Sequence, residues 1–300
     1  LQTPGTYPSA GARLRAALGE ERPLQLAGAI NAYCARLAER AGFRALYLSG
    51  AGVANASLGL PDLALTTLGD VLEDLRRITG ATALPVLVDA DTGWGSPLMV
   101  ARAVRELERA GAAGCHLEDQ VQAKRCGHRP GKVLVSAREM AGRLKAAADG
   151  RTDPGFVLVA RTDALAVEGL GGAIDRADRY IEAGADMVFL EAATSLEDYR
   201  RAAGALRAPI LANMTEFGTT PLFTLDELRQ AGVAAVIYPL SAFRAMSRAA
   251  ERVYETIRRE GTQRGLVGAM QTREELYAVL GYRDYERKAD QFLAEGDQGE

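Results

Sequence analysis

The sequence predicts an α/β fold, a (β/α)8 barrel of the TIM type with extra helices at its C-terminal end, and three observations lead there. Eight short, nearly continuous apolar runs punctuate the chain, the form taken by parallel strands covered on both faces. Four of them follow an Ala-Gly pair that ends an amphipathic run, since Gly just past a helix tolerates the left-handed backbone that closes it. Helix starts between the runs are marked by Ser or Thr three residues ahead of an acid. Strand and helix thus alternate without a composition break or linker over about 250 residues, the length of one such barrel. A doubly wound open sheet shares that alternation, so pattern alone leaves both open.

The first run, Leu24–Ile30, ends at Asn31, and Ala41-Gly42 feeds the second, Ala45–Leu48, with Tyr47, Ser49 and Gly50 at its end. Thr67 and Asp70 open a helix whose Leu68, Val71, Leu72, Leu75 and Ile78 fall on one stripe. Pro85 introduces Val86–Val88, which runs into Asp89 and Asp91. Ser96-Pro97 starts the next helix, with Pro where its missing donor costs nothing. Ala110-Gly111 then precedes Gly114–Leu117, which carries His116 and leads to Glu118 and Asp119. Ser136 and Glu139 open the helix before Val157–Ala160, followed by Arg161 and Asp163; Ala183-Gly184 precedes Met187–Leu190 and Glu191. Ser195 and Asp198 open the helix before Pro209 and Ile210–Ala212, which leads to Asn213 and Thr215. Thr224 and Glu227 start a last helix, and Ala231-Gly232 feeds Ala234–Tyr238, with Ser241 beyond. After Phe243 the pattern is wholly helical, with Thr272 and Glu275 as a start signal and helices over Gln271–Leu280 and Arg283–Ala294. This exceeds what closes a barrel, so residues 244–300 read as a helical extension of a single 1–300 domain, open to subunit contacts.

Composition removes several classes of function. At 48% hydrophobic and 25% charged residues over 300 positions, core material is ample and disorder does not fit. No charge-free stretch of about 18 apolar residues occurs, which excludes a transmembrane helix. Leu1 to Gly19, with Pro4, Gly5 and Pro8, shows no signal pattern, so a cytoplasmic protein is expected. A net charge of −3 with dispersed arginines leaves no basic stripe for nucleic acid and no membrane anchor; the partner is a small molecule. Cys34, Cys115 and Cys126 match neither a disulfide framework nor a zinc site. The lysines are Lys124, Lys132, Lys145 and Lys288, none at a strand end, which disfavours Schiff-base chemistry. No Gly-x-Gly-x-x-Gly or Walker A loop speaks for a nucleotide.

In a barrel the active site lies at the carboxyl ends of the strands, where polar residues follow all eight runs. Asp89-Ala90-Asp91, with Asp62 and Glu118, makes an all-oxygen, acid-rich set suited to Mg2+ or Mn2+ rather than zinc. On spacing alone Asp-x-Asp reads as a solvated turn; its place at a strand end favours the metal. Asp119 to Val135 is a long connection without apolar pattern, of the kind that is functional or disordered. Within it, Lys124, Arg125 and His128 surround Cys126 with cationic groups that lower a thiol pKa, making Cys126 an acid/base or nucleophile candidate. Gly127 and Gly131 give that loop the freedom of a closing lid.

Several motifs together are specific enough to resemble a family. They are Ser49-Gly50-Ala51-Gly52-Val53, Leu58-Gly59-Leu60-Pro61-Asp62, Asp89 to Gly95, His116-Leu117-Glu118-Asp119-Gln120, Lys124-Arg125-Cys126-Gly127-His128, Ala160 to Ala164, Glu191-Ala192 and Asn213 to Gly218. In this order they resemble the isocitrate lyase/phosphoenolpyruvate mutase superfamily over nearly the whole chain. The cysteine loop looks like its lyase branch, and the compact length, with Tyr238 to Arg244, like the members of the methylcitrate cycle in propionate catabolism.

The resemblance implies a barrel with a helix swapped between neighbours, in a homotetramer. It implies Mg2+-dependent cleavage of a tricarboxylate, 2-methylisocitrate, to pyruvate and succinate; isocitrate or another 2-hydroxy acid is the alternative, and an inactive ligand-binding barrel the rival class. Carried over by motif, Asp89 is the direct metal ligand, and Asp62, Asp91 and Glu118 hold its waters. Ser49, Gly50 and Arg161 bind the 2-oxo acid half, Arg161 adding charge there. Glu191, Asn213 and Thr215 receive the succinate half, and Ala51, Lys124, Gly127, His128 and Ser241 complete the substrate contacts. Cys126 is the proton donor. Tyr47, or a metal-bound water oriented by Glu118, takes the hydroxyl proton. Ala51, where Gly is common, and Leu190, where Pro is frequent, depart from the pattern. Phe189, Ile237 and Leu240 are candidates to house the substrate methyl, each with a core reading beside it.

Overall fold

A computed structural model describes residues 8–296; Pro4 and Gly5 lie outside them. The eight apolar runs pair in chain order as one closed parallel barrel, which settles the choice against an open sheet. Its strands are β1 (Leu24–Gly28), β2 (Ala45–Leu48), β3 (Val86–Asp89), β4 (Gly114–Glu118), β5 (Val157–Thr162), β6 (Met187–Leu190), β7 (Ile210–Asn213) and β8 (Val233–Tyr238), and β8 returns to pair with β1. Four strands, β3, β4, β5 and β7, reach a residue or two beyond their apolar runs, so that Asp89, Glu118, Arg161 and Asn213 are strand residues. At β1 the correction runs the other way. The strand stops at Gly28, and the Asn31 side chain accepts the Cys34 N–H as cap of α2 (Ala32–Arg40), so it is spent on a helix end.

Side chains alternate across each strand. One set, including Leu24, Leu26, Tyr47, Leu87, Val159, Phe189, Leu211 and Ile237, packs together inside the barrel. The intervening set, including Leu46, Val88, Leu117, Leu158 and Ala160, packs outward with helix residues such as Val71, Leu75, Val104 and Leu144. A helix absent from the sequence reading, α1 (Ala10–Glu20), sends Leu14 and Ala17 into the interior cluster and plugs the end where the strands begin. Its Ala- and Gly-rich sequence carries little periodic signal, although Ser9 caps it through the Ala12 N–H at 3.1 Å.

After β2 a short helix, α3 (Gly50–Gly52), runs into a π-turn at Val53–Ser57. Then come α4 (Leu68–Thr79), α5 (Pro97–Arg109), α6 (Ala137–Gly150), α7 (Leu165–Glu182), α8 (Leu196–Ala205) and α9 (Leu225–Gln230). The start signals read from sequence are made: Thr67, Ser195 and Thr224 form reciprocal capping boxes, and Ser136 accepts from the Glu139 N–H. The stripe on α4 is buried as expected.

The chain divides into two compact units, Leu1–Phe243 and Arg244–Glu300. The second contains most of α10 (Ser241–Glu260), a 3-10 turn at Arg264–Ala269, α11 (Arg273–Leu280) and α12 (Tyr282–Gly296). Within it Tyr277 and Tyr282 stack at 4.1 Å, while Tyr254, Ile257, Tyr285 and Phe292 are exposed. Among the described residues no helix is long and apolar enough to cross a membrane.

Candidate active site

The inward-facing residues that end β3, β4, β5 and β7 are polar, with Glu191 just past β6, and they converge at the carboxyl end of the barrel. Asp89 is at their centre. Its Oδ2 accepts the Gly50 N–H at 3.0 Å and its Oδ1 accepts the Asp91 N–H at 3.0 Å. Burial works against its charge, but His116, Lys124, Arg161 and the Asp91 N–H outweigh it and bring the carboxyl down to about 2. Asp91 takes the opposite course, raised to about 6 by burial and then by the charge of Asp89, in spite of Lys124. Burial likewise holds Glu118 well above the ordinary carboxyl range, and neither of its oxygens accepts a hydrogen bond.

Two acids that are costly to charge, Asp91 and Glu118, thus stand with the charged Asp89, the condition that a cation relieves. The Lys124 ammonium serves that purpose here, 2.5 Å from Asp62 Oδ1 and 2.8 Å from Asp91 Oδ1. Among the described residues no three His, Cys, Asp or Glu side chains gather closely enough to grip one ion directly. All-oxygen, and with both Glu118 oxygens unpartnered, the set fits a hard divalent ion.

Tyr47, inside the barrel, lies 2.8 Å from His116 Nε2 and donates to Asp89 Oδ2 at 3.4 Å. Burial first, and then the charge of Asp89, push its phenol well above the ordinary value.

Arg161 is the second centre. It grips Asp163 through Nε and Nη2 at 3.1 and 3.2 Å, reaches Glu118 at 3.3 Å and Glu191 at 3.7 Å, and lies 5.3 Å over the Phe189 ring. Phe189 and Ile237, 1% and 0% exposed, pack with the barrel interior, Phe189 directly beneath the Arg161 guanidinium. Leu240 remains at the mouth, its Cδ2 3.4 Å from where a Cβ on Gly52 would be.

The connection after β4 is folded over this mouth. A bridge between Gln120 and Leu134 pinches its stem. A Cβ on Gly127 would lie 2.1 Å from Glu191 Oε1 and 2.5 Å from Arg161 Nη2, so only glycine fits where the turn meets the barrel. The Thr219 N–H donates to His128 Nδ1 at 3.2 Å, which leaves the ring proton on Nε2, 3.3 Å from Glu191 Oε1. Asn213 Nδ2 stands 3.3 Å from both that nitrogen and Glu191 Oε2. Cys126 is half-buried at the turn. Lys124 and His128 are committed to Asp62, Asp91 and Glu191, so the cationic surround expected for the thiol is largely engaged elsewhere.

Of the remaining candidates, Ser49 is buried at the start of α3 and makes no capping bond, Ala51 is half-buried beside it, and Thr215 is half-buried after β7. The Ser241 hydroxyl donates to Glu216. Sequence reasoning overlooked Gln120, Lys132 and Thr219; the scarcity of lysine was the one signal pointing to Lys132. A cavity of about 540 Å³ beside the mouth, lined by Leu68, Leu72, Trp94 and Met99, meets the acidic set only through Asp91.

Residues 14–258 match the phosphoenolpyruvate phosphomutase family. The chain is 61% identical over 287 residues to 2-methylisocitrate lyase of Escherichia coli (strain K12), covering 95% of this chain and 97% of that one. Among solved structures it resembles 2,3-dimethylmalate lyase, a PEP mutase/isocitrate lyase superfamily member, at a TM-score of 0.87 and 36% identity, covering 95% and 96% of the two chains. It also resembles phosphonopyruvate hydrolase in complex with oxalate and Mg2+, at a TM-score of 0.84 and 29% identity, covering 95% and 99%.

Proposed function

The chain belongs to the phosphoenolpyruvate phosphomutase family, and from that premise we propose that it cleaves the C2–C3 bond of 2-methylisocitrate to give pyruvate and succinate. It is a carbon–carbon lyase. The observation that carries the reading is the seating of the Cys126-Gly127-His128 turn against Glu191 and Arg161, which brings a thiol to the mouth of an acid-lined barrel.

Asp89 would hold a divalent ion directly, with Asp62, Asp91 and Glu118 acting through water. The ion, Mg2+ or Mn2+, supplies Lewis acidity toward the hydroxyl and carboxylate oxygens of the pyruvate half. Arg161 adds positive charge there, and Ser49 and the Gly50 backbone orient that half. Tyr47, or a water oriented by Glu118, takes the hydroxyl proton. As the C2–C3 electron pair leaves with the succinate half, its carboxylate gathers negative charge, which donors at Asn213, Thr215 and His128 hold. The Cys126 thiol then gives its proton to that carbon. Glu191, bonded to His128 and Asn213, keeps these donors aimed; Lys124, Gly127, Ala51 and Ser241 line the substrate.

The reading includes Leu240 as apolar cover for the substrate methyl, a cytoplasmic location, and a homotetramer supported by the exposed Tyr254, Ile257, Tyr285 and Phe292. Turnover of 2-methylisocitrate, isocitrate and oxaloacetate, measured side by side with Mg2+, tests it. One housed methyl is worth roughly 10–200-fold in kcat/KM, so 2-methylisocitrate should lead by that order. A preference for isocitrate would sink the substrate assignment and leave the lyase reaction standing.

A further inference from the structure

Cys126 lies between two backbone grips. On one side the side-chain amide of Gln120, fully buried, takes both polar groups of Arg125: Nε2 donates to the carbonyl at 2.9 Å and Oε1 accepts the N–H at 3.0 Å. On the other side the Gly127 carbonyl accepts from Lys132 Nζ. The Lys132 side chain is only 3% exposed, and its ammonium lies 3.2 Å from Asp163 Oδ1. Asp163 is the same carboxylate that grips Arg161 through two hydrogen bonds, and its own N–H is fixed by Asp119 at 2.9 Å. An unbroken chain of polar contacts therefore runs from Arg161 through Asp163 and Lys132 to the carbonyl of Gly127, the residue after Cys126.

We propose that Lys132 is a positioning residue of the reaction: it latches the Cys126 loop shut and, through the carboxylate it shares with Arg161, ties closure to occupancy of the guanidinium. A buried ammonium must find acceptors as well as a counter-charge. Asp163 supplies the charge whether the loop is open or shut, but the Gly127 carbonyl is an acceptor only when it is shut, which biases the loop toward closure. A substrate carboxylate that engages Arg161 draws the guanidinium away from Asp163 and leaves that carboxylate more fully to Lys132. The latch then tightens when the site is filled. The Gln120 grip has no charged member and fixes the near side of the turn irrespective of ligand.

The role in the reaction rests on Cys126 being the proton donor; the latch itself does not, and the test separates them. The rate of Cys126 alkylation by iodoacetamide is followed by mass spectrometry in the full chain and in Lys132→Met, with the buried Cys34 and Cys115 as internal controls. Steady-state turnover of 2-methylisocitrate with Mg2+ is measured in parallel. Lys132→Met should accelerate alkylation at least about fivefold and lower kcat at least about tenfold, with KM changed far less, since the loss is of acid placement rather than binding. Lys132→Arg, which keeps the charge, should recover part of both. Should Lys132→Met fail to accumulate folded, Lys132→Gln serves the same comparison. An alkylation rate within twofold of the unaltered chain overturns the latch, whatever turnover does. Faster alkylation with unchanged turnover keeps the latch and overturns the positioning role of Lys132 in the reaction.

Discussion

Replacing Gly127 by alanine is the sharpest way to separate a closed, working turn from a decorative one. The added methyl would lie 2.1 Å from Glu191 Oε1, 2.5 Å from Glu191 Cγ and 2.5 Å from Arg161 Nη2, where ordinary contact begins near 3.4 Å. The turn must therefore back away by about 1 Å, or Glu191 must leave His128 and Asn213; both misplace the thiol or the donors beside it. Overpacking of this kind costs about 1–3 kcal/mol, and at about 1.36 kcal/mol per decade of rate that is a loss of roughly 5- to 150-fold in kcat/KM. The loss should appear mainly in kcat, while Tm stays near that of the unaltered protein, because the turn can back away without moving the strands beneath it. Steady-state kinetics with 2-methylisocitrate and a thermal melt are the assays. Kinetics within twofold of the parent, in a variant shown by mass to carry the alanine, would refute the closed-turn argument.

Cys126→Ser should keep the fold and metal binding but lose at least about 100-fold in turnover, the scale of a missing general acid; near-normal turnover removes the thiol from the mechanism. Asp89→Ala should abolish turnover in millimolar Mg2+ and show no metal binding by calorimetry; affinity equal to the parent's would contradict its place as direct ligand. Native thiol titration with Ellman's reagent at pH 8 should count one fast group per chain and three after denaturation. Burial, and secondarily Asp89, push Cys115 up to about 12, and burial raises Cys34, so both remain protonated at that pH; two fast groups would contradict their burial.

The barrel was legible because its signals are local: a parallel strand sealed on both faces must be apolar throughout, and a helix end must satisfy its own N–H groups. Val86–Val88 and the Thr67–Asp70 box announce themselves without reference to any other part of the chain. α1 did not, because Leu14 and Ala17 are buried by strands far away in sequence rather than by a stripe of their own. The strand-end acids were visible as a group, but the difference between Asp89 at about 2 and Asp91 at about 6 depends on who stands beside them. Phe189 and Ile237 carried two readings for the same reason, since a strand-end apolar residue looks alike in sequence whether it faces substrate or core. Lys132 and Gln120 gave no local pattern at all; their partners Asp163 and Arg125 become neighbours only when the loop folds back.

The alternation that divides each strand into inward and outward residues gives the barrel something like a reading frame. Asp89, Glu118, Arg161, Glu191 and Asn213 share one phase, and Leu46, Val88, Leu117, Ala160 and Leu190 the other. A substitution in the outward phase touches the helix layer, one in the inward phase touches the barrel interior or, at the strand's carboxyl end, the chemistry, and neither alters the other's assignment. A single inserted or deleted residue within a strand exchanges the two phases from that point on, turning acids toward the helices and leucines toward the mouth. Such changes can accumulate only in the connections, so variation in length among barrels that share this chemistry should be confined to the loops, while their strands stay fixed to the residue.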